Sequence, residues 1–324
     1  MARALELAAG VRASTSPNPW VGCVIEPADG GAWFEGATQP PGGPHAEIVA
    51  LVAAANHARG ATLHTTLEPC SHTGRTPPCT DAIVAAGVAR VVVGIEDPDP
   101  HVAGSGIAAL RAAGVAVDLG VREDEISAQL APYLKHRTTG RPWVVLKLAA
   151  TLDGRTAAAD GSSRWITGEA ARTDAHRLRA ESDAVIVGAG TVRADDPSLT
   201  VRHVAGRDPL RVVLGHAPSE ANVHPALEIE GDLGQVLDEL GRRDVLQALV
   251  EGGATVAGDF HRAGLVDRYV LYLAPALAGG DDWRPLLAGP GAATIDDVWR
   301  GRIVSVDRLG DDLRIDLEPA CSPA

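Results

Sequence analysis

Long hydrophobic runs are missing from this sequence. No stretch approaches the roughly 18 consecutive apolar residues that a membrane helix requires, and the opening MARALELAAGVRAS has no basic region followed by an unbroken apolar core. A chain of 324 residues, 45% hydrophobic and 22% charged, is therefore expected to be soluble, globular and cytoplasmic, and long enough for two domains with separate cores. Positive charge is scarce too. The formal net charge of −13 disfavours broad nucleic-acid binding, because counterion release rewards basic surfaces. Any anionic ligand must then be held by local arginines. Lysine is nearly absent, Lys135 and Lys147 being the only two among 29 basic side chains. That bias suggests GC-rich coding and makes a retained lysine a candidate for a specific role. Cysteine is also sparse. Four residues, Cys23, Cys70, Cys79 and Cys321, do not suggest a disulfide scaffold in a chain this long, which leaves metal binding, a redox pair or packing. There is no fixed-period repeat, which excludes a solenoid.

What is present is an alternation of strand-like and helix-like segments. In the first half the pattern predicts a helix over 2–11, a strand over 20–25, a Gly/Pro-rich turn region to Pro44, a helix over 45–58 and a strand over 61–67. A helix after Pro77, the strand VARVVVGI, a helix near 104–113 and a short strand at 115–117 follow, the βαβ-type order of an α/β sheet covered by helices. A polar helical stretch over 121–141, ending in HRTTGRP, reads as a connector, so the domains are expected at 1–140 and 141–324. The second half restarts with WVVLKLA and runs through DAVIVGAG, LRVVL and LQALVEGG, with helices between, to a strand-rich tail.

In the segment TLEPCSHTGRTPPC, Cys70 follows Pro69 and Cys79 follows two prolines, at a predicted helix start where the dipole favours a thiolate. Upstream, GPHAEIV sets His45 and Glu47 two residues apart just after Pro44. Residues two apart on a helix diverge by roughly 200°, so they share a site only at a helix end, and proline marks such an end. One histidine and two thiolates make a three-ligand zinc site with the fourth position open to water, the catalytic arrangement. Glu47 is then the candidate proton carrier. H-x-E followed by P-C is the signature of zinc nucleobase deaminases, although here eight residues, instead of two, separate the cysteines.

The segments HAE, LEPCSHTGRTPPC, SPNPWVG and DPDPHVAGSGI together resemble the deaminase domain of the bifunctional riboflavin-biosynthesis deaminase–reductases, over nearly all of residues 1–120. The resemblance implies a cytidine-deaminase-like three-layer α/β/α domain that acts on a phosphorylated pyrimidine, with one zinc ion per chain. It implies substrate contacts from Asn18, His72 and Arg75. The family commonly has G-x-H where this chain has Gly36-Ala37-Thr38, so a hydroxyl is expected to replace a substrate-contacting histidine.

In the second half KLAATLDGR, SSRWITG, GAGTVRADDPSLTVR and VEGGATVAG resemble the reductase domain of the same family over about residues 142–318. That implies a dihydrofolate-reductase-like α/β fold and NADPH as cofactor. NADPH contacts would come from Ala149, Trp165, Thr191, Asp195 and the run Gly253, Ala254, Thr255, Val256, Ala257 and Gly258. Substrate contacts would come from Lys147, Ser163, Arg179, Leu199, Arg202 and Glu251. Independently, Gly252-Gly253 between a strand and a helix can cradle a phosphate on bare amides, without being the G-x-G-x-x-G pattern. Arg179 and Arg202 can clamp a ribose phosphate. Asp153 before Gly and Asp196 before Pro read as turn formers. Gly215 and the short stretch between Arg202 and Gln247 leave selection for the 2′-phosphate of the cofactor open. The expected partners are small phosphorylated pyrimidines, with no nucleic acid and no membrane, and the chain is expected to be a homo-oligomer. Two other readings remain at this point. A nucleic-acid base deaminase is disfavoured by the charge, and a structural zinc domain would need His72 as fourth ligand.

Overall fold

The chain separates into two units, Met1–Gly140 and Arg141–Ala324. The computed structural model describes residues 1–72, 77–100 and 102–320. The first unit runs α1 (Ala2–Thr15), β1 (Gly22–Glu26), β2 (Phe34–Ala37), α2 (Ala46–Ala54), β3 (Thr62–Leu67), α3 (Cys79–Ala85), β4 (Arg90–Ile95), α4 (Ser105–Ala112), β5 (Ala116–Leu119) and α5 (Glu123–Thr139). Its sheet has the order β2-β1-β3-β4-β5, antiparallel around β1 and parallel from β3 to β5.

The layering follows from small residues in one row of this sheet. Cys23 pairs with Thr65, and Thr65 with Val93, so Gly22, Thr66 and Gly94 stand side by side on one face. A Cβ at Gly22 would come within 1.9 Å of the Ala4 carbonyl oxygen in α1, and one at Gly94 within 2.2 Å of Ile126 Cδ1 in α5. The bare backbone thus lets α1 and α5 seat directly on the sheet. On the other face α2 packs on β1 and β2, with α3 beside α2 and α4 beside α3. The result is the expected three-layer α/β/α arrangement.

Three local expectations need correction. The segment read as a connector is α5, whose Ile126 and Leu130 are fully buried, so it belongs to the core of the first unit. The Gly/Pro-rich region contains β2. The helix expected over 45–58 ends at Ala54, because Ala55 takes a φ of 46° and the remainder is a 3-10 turn.

The second unit runs β6 (Trp143–Thr151), β7 (Arg155–Ala157), α6 (Glu169–Ala180), β8 (Ala184–Gly188), α7 (Ala189–Asp195), β9 (Leu210–Leu214), β10 (Leu227–Ile229) and α8 (Leu233–Arg242). It continues with β11 (Gln247–Val250), α9 (Ala254–Arg262), β12 (Arg268–Ala274), β13 (Arg284–Pro285), β14 (Gly301–Leu309) and β15 (Asp312–Pro319). The eight-stranded sheet has the order β10-β9-β8-β11-β6-β12-β15-β14. It is parallel from β10 to β12 and antiparallel in its last two pairings. β7 and β13 form a separate ribbon. Period-2 alternation divides the core: Val144, Leu146 and Leu148 pack with Leu237 of α8 and Phe260 of α9, whereas Val145 packs with Leu178 of α6. Among the described residues no helix is long and apolar enough to cross a membrane.

Candidate active sites

In the first unit, Pro44 and the extended backbone of His45 open α2, so His45 is the N-cap residue and Glu47 lies in the first turn. Pro78 caps α3, whose first residue is Cys79. The loop after β3 returns Cys70 to that helix end. The Thr80 N–H donates to the Cys70 carbonyl at 3.2 Å, and the Cys79 N–H to Cys70 Sγ at 3.4 Å. His45 Nδ1 lies 3.6 Å from Cys70 Sγ and 3.3 Å from Cys79 Sγ, and the three ligand atoms lie within 4.8 Å of one another. An ion bound tetrahedrally at about 2.3 Å from sulfur and about 2.0 Å from nitrogen holds those atoms about 3.5 Å apart. The donor set therefore fits zinc.

The electrostatics agree. Hydrogen bonds from Cys79 and His45 draw the Cys70 thiol well below its ordinary range, toward the thiolate a cation needs. Cys79, next to that thiolate and buried, is pushed up. Glu47 is buried, and burial raises its carboxyl to about 7.

A cavity of about 300 Å³ opens here, lined by Asn18, His45, Glu47, Cys70 and His72 among others. Arg75 lies outside the described residues. Thr38 also lines the cavity, but its hydroxyl accepts from the Val21 N–H at 3.1 Å and donates to the Val21 carbonyl at 3.4 Å. It ties chain to chain instead of standing ready for a ligand.

Two features escaped sequence reading. Buried Glu68 accepts from the N–H groups of Asp97, Gly104, Gly106 and Ile107 at 2.8–3.2 Å, so its carboxylate fastens the cysteine loop to the N-terminus of α4. Tyr133 donates to both oxygens of Asp97 at 3.0 and 3.1 Å in the cavity wall. The acid in LEPC was a visible signal for the first; Tyr133 lay in the stretch read as a connector.

In the second unit a cavity of about 760 Å³ sits where β8 and β11 end. Register explains the grouping. Val250 pairs with both Leu146 and Ile186, so Lys147, Glu251 and the start of α7 reach the same level of the sheet. The cavity takes in Lys147, Ala149, Ser163, Trp165, Arg179, Thr191, Asp195, Leu199, Arg202, Glu251, Gly253 and Ala254, all predicted. Of the rest of the predicted run, Thr255 and Val256 are not in its lining, Ala257 is fully buried in the core, and Gly258 backs onto the Ala288 carbonyl.

Arg179 is not an open clamp. Its Nε and Nη2 donate to the two carboxylate oxygens of Glu251 at 2.5 and 2.9 Å, and its Nη1 to the Thr200 carbonyl. Lys147 Nζ lies 3.8 Å from Glu251. Burial alone would raise the Glu251 carboxyl, but Arg179 and Lys147 overcome it and hold it at about 2. Arg202 is exposed, its Nη1 donating to the Ser198 and Thr200 hydroxyls at 2.6 and 2.8 Å. Thr191 Oγ1 accepts from the Gly253 N–H at the head of α9. Asp153 accepts from Thr151 Oγ1 and the N–H groups of Ala278 and Gly279, and Asp196 from Asn222, the structural roles expected of them. Arg164 and Arg172, which sequence reading did not single out, lie 5.9 and 4.7 Å from the exposed Trp165 ring in the same cavity.

Comparison with known proteins matches both halves. The family model for the cytidine and deoxycytidylate deaminase zinc-binding region matches residues 1–95, and that for the RibD C-terminal domain matches residues 142–315. The riboflavin biosynthesis protein RibD of Escherichia coli is 40% identical over 98% of each chain. The structure of Acinetobacter baumannii RibD superposes with a TM-score of 0.92 at 39% identity, covering 98% of this chain and 97% of that one. A diaminohydroxyphosphoribosylaminopyrimidine deaminase/5-amino-6-(5-phosphoribosylamino)uracil reductase from Thermotoga maritima gives 0.89 at 34% identity, over 99% and 97%. With both halves matched and the likeness running from end to end, this chain belongs to the RibD family.

Proposed function

We propose that the chain catalyses two consecutive reactions of riboflavin biosynthesis, a hydrolytic deamination in residues 1–140 and an NADPH-dependent reduction in residues 141–324. The first converts 2,5-diamino-6-ribosylamino-4(3H)-pyrimidinone 5′-phosphate and water to 5-amino-6-(5-phosphoribosylamino)uracil and ammonia. The second reduces the ribosyl chain of that product to ribityl. The observation that carries the reading is His45, Cys70 and Cys79 converging within 4.8 Å, with buried Glu47 in the same cavity wall.

Zinc, when bound by those three residues, supplies the Lewis acidity that makes water a nucleophile near neutral pH. Glu47 accepts a proton from the attacking water and delivers it to the departing amine nitrogen. Asn18, His72 and Arg75 orient the substrate, Arg75 toward its phosphate. In the second unit NADPH would supply the hydride, while Trp165, Asp195, Thr191 and the head of α9 at Gly253 and Ala254 would hold it. Lys147 and Glu251 face the sugar. Arg202 takes the phosphate, Arg179 being engaged with Glu251.

We include a cytoplasmic setting, because free cysteines at a metal site need reducing surroundings. We include a homo-oligomer, because β14, at the edge of its sheet among the described residues, exposes Ile303 and Val306. Supplying purified protein with the pyrimidinone phosphate tests the main reading. Ammonia is expected with or without NADPH, and ribityl product only with it. No ammonia from the zinc-loaded chain would overturn the first assignment, and no NADPH oxidation with the deaminated product the second.

A further inference from the structure

One titratable side chain in the larger cavity has no part in the chemistry above. His176 lies on α6 three residues before Arg179, so both project from one helix face. It is 7% exposed and lines the cavity with Lys147, Arg202 and Glu251. Its Nδ1 accepts the backbone N–H of Arg202 at 3.0 Å. That N–H can only donate, so the proton of a neutral ring must sit on Nε2. Among the described residues none accepts from Nε2. The ring edge packs on His203, with centroids 5.0 Å apart.

The hydrogen bond to Arg202 also falls in a constrained stretch. Leu199 and His203 take φ values of 53° and 69°, which non-glycine residues seldom adopt. A ring anchored at Nδ1 holds this stretch so that Arg202 is presented beside Ser198 and Thr200.

We infer that His176 is a positioning residue of the reductase site: Nδ1 fixes the backbone of the phosphate-binding Arg202, and Nε2–H donates to an oxygen of the substrate's sugar. This rests on the reading of the cavity as a reductase site. A neutral donor suits a cavity already holding Lys147, Arg179 and Arg202, where a further positive charge would be costly. The surroundings keep it neutral. Burial, then Arg179, Arg202 and His203, lower its pKa to about 4, with Glu251 opposing.

The test uses the full chain with three variants. Asn can keep a polar atom near the place of Nδ1, Gln one near Nε2, and Leu keeps neither. His176→Leu is expected to lower kcat/KM of NADPH-dependent reduction about tenfold or more, the worth of one buried hydrogen bond, with ammonia release by the same chain unchanged. His176→Gln is expected to recover most of kcat, whereas His176→Asn recovers KM for the phosphorylated substrate without kcat. Nitrogen-15 spectra of the wild type are expected to give a neutral Nε2–H tautomer from pH 8 down to about 5. Reduction within twofold of wild type in His176→Leu, or a ring that protonates between pH 6 and 7, would overturn the inference alone. A wild-type chain that oxidises no NADPH would instead sink the reading of the site beneath it.

Discussion

Two buried glutamates serve the two halves of this chain, and their surroundings give them opposite characters. Glu47 is 4% exposed and the Glu251 side chain 8%. Burial raises Glu47 to about 7. The same burial acts on Glu251, but a two-point bond from Arg179 and the nearby Lys147 hold it at about 2. A carboxyl near neutrality can take up and release protons, and a cation bound at His45, Cys70 and Cys79 would adjust it downward. A carboxyl at 2 is a fixed charge that organises the cations around it. Burial sets no role by itself; the partners do.

The contrast breaks most visibly at Glu47. Glu47→Gln keeps the shape but cannot ionise or accept a proton. Ammonia release is expected to fall by a factor of about 10²–10⁴, while zinc content and NADPH oxidation with the deaminated product stay as in wild type. Undiminished ammonia release would remove Glu47 from the chemistry. Glu251→Gln instead strands Arg179 and Lys147, so the loss should appear first as stability, about 3 kcal/mol, together with reductase activity. The folded-state value of Glu251 is depressed below the ordinary 4.5. Its contribution is therefore fully present above pH 4.5 and is lost as pH falls from there toward 2. The difference in urea midpoint between wild type and variant should shrink across that window. A difference that stays flat would mean that Glu251 is not held ionised.

The same contrast bears on what the sequence makes legible. The metal ligands were readable because each stands directly after a proline, two of them at a helix start, so local chain chemistry announces them: Pro44-His45, Pro69-Cys70, Pro78-Cys79. The α/β alternation was readable for a similar reason, since periodicity is local. The Arg179–Glu251 pair was not. Its members are 72 positions apart and meet only because β8 and β11 are neighbours in parallel register. The role of α5 was hidden by its polar composition, three acids in the first turn and exposed charges masking the buried Ile126, Leu130 and Tyr133. The run 253–258 was read as one binding segment. A helix turns its residues around its axis, so only the first two reach the cavity.

Glu68 sharpens the comparison as a third buried carboxylate, one that among the described residues pairs with backbone N–H groups and no cation. Four N–H groups satisfy it. Glu68→Gln would set an amide NH₂ against two of these donors, at an expected cost of about 2–3 kcal/mol. Cys70 lies only two residues further on, so zinc affinity should fall too. Thermal unfolding with and without zinc and a chelator titration read the two effects. A loss of stability with unchanged zinc affinity would confine Glu68 to the α4 contact.

The smallest effect is expected at Thr38, where the family resemblance and the hydrogen bonding point in different directions. Position suggests a ligand contact, since the residue lines the deaminase cavity. The hydroxyl, however, is occupied at both ends by the Val21 backbone, and the Thr38 N–H donates to the same carbonyl at 3.0 Å. Thr38→Val preserves the shape and strands the Val21 N–H, so stability should drop by about 1–2 kcal/mol. Both kcat and KM for deamination should stay within about twofold, because no substrate bond is lost. A KM raised tenfold with unchanged stability would show that the hydroxyl leaves Val21 for the substrate, and that this chain answers its missing histidine at this position after all.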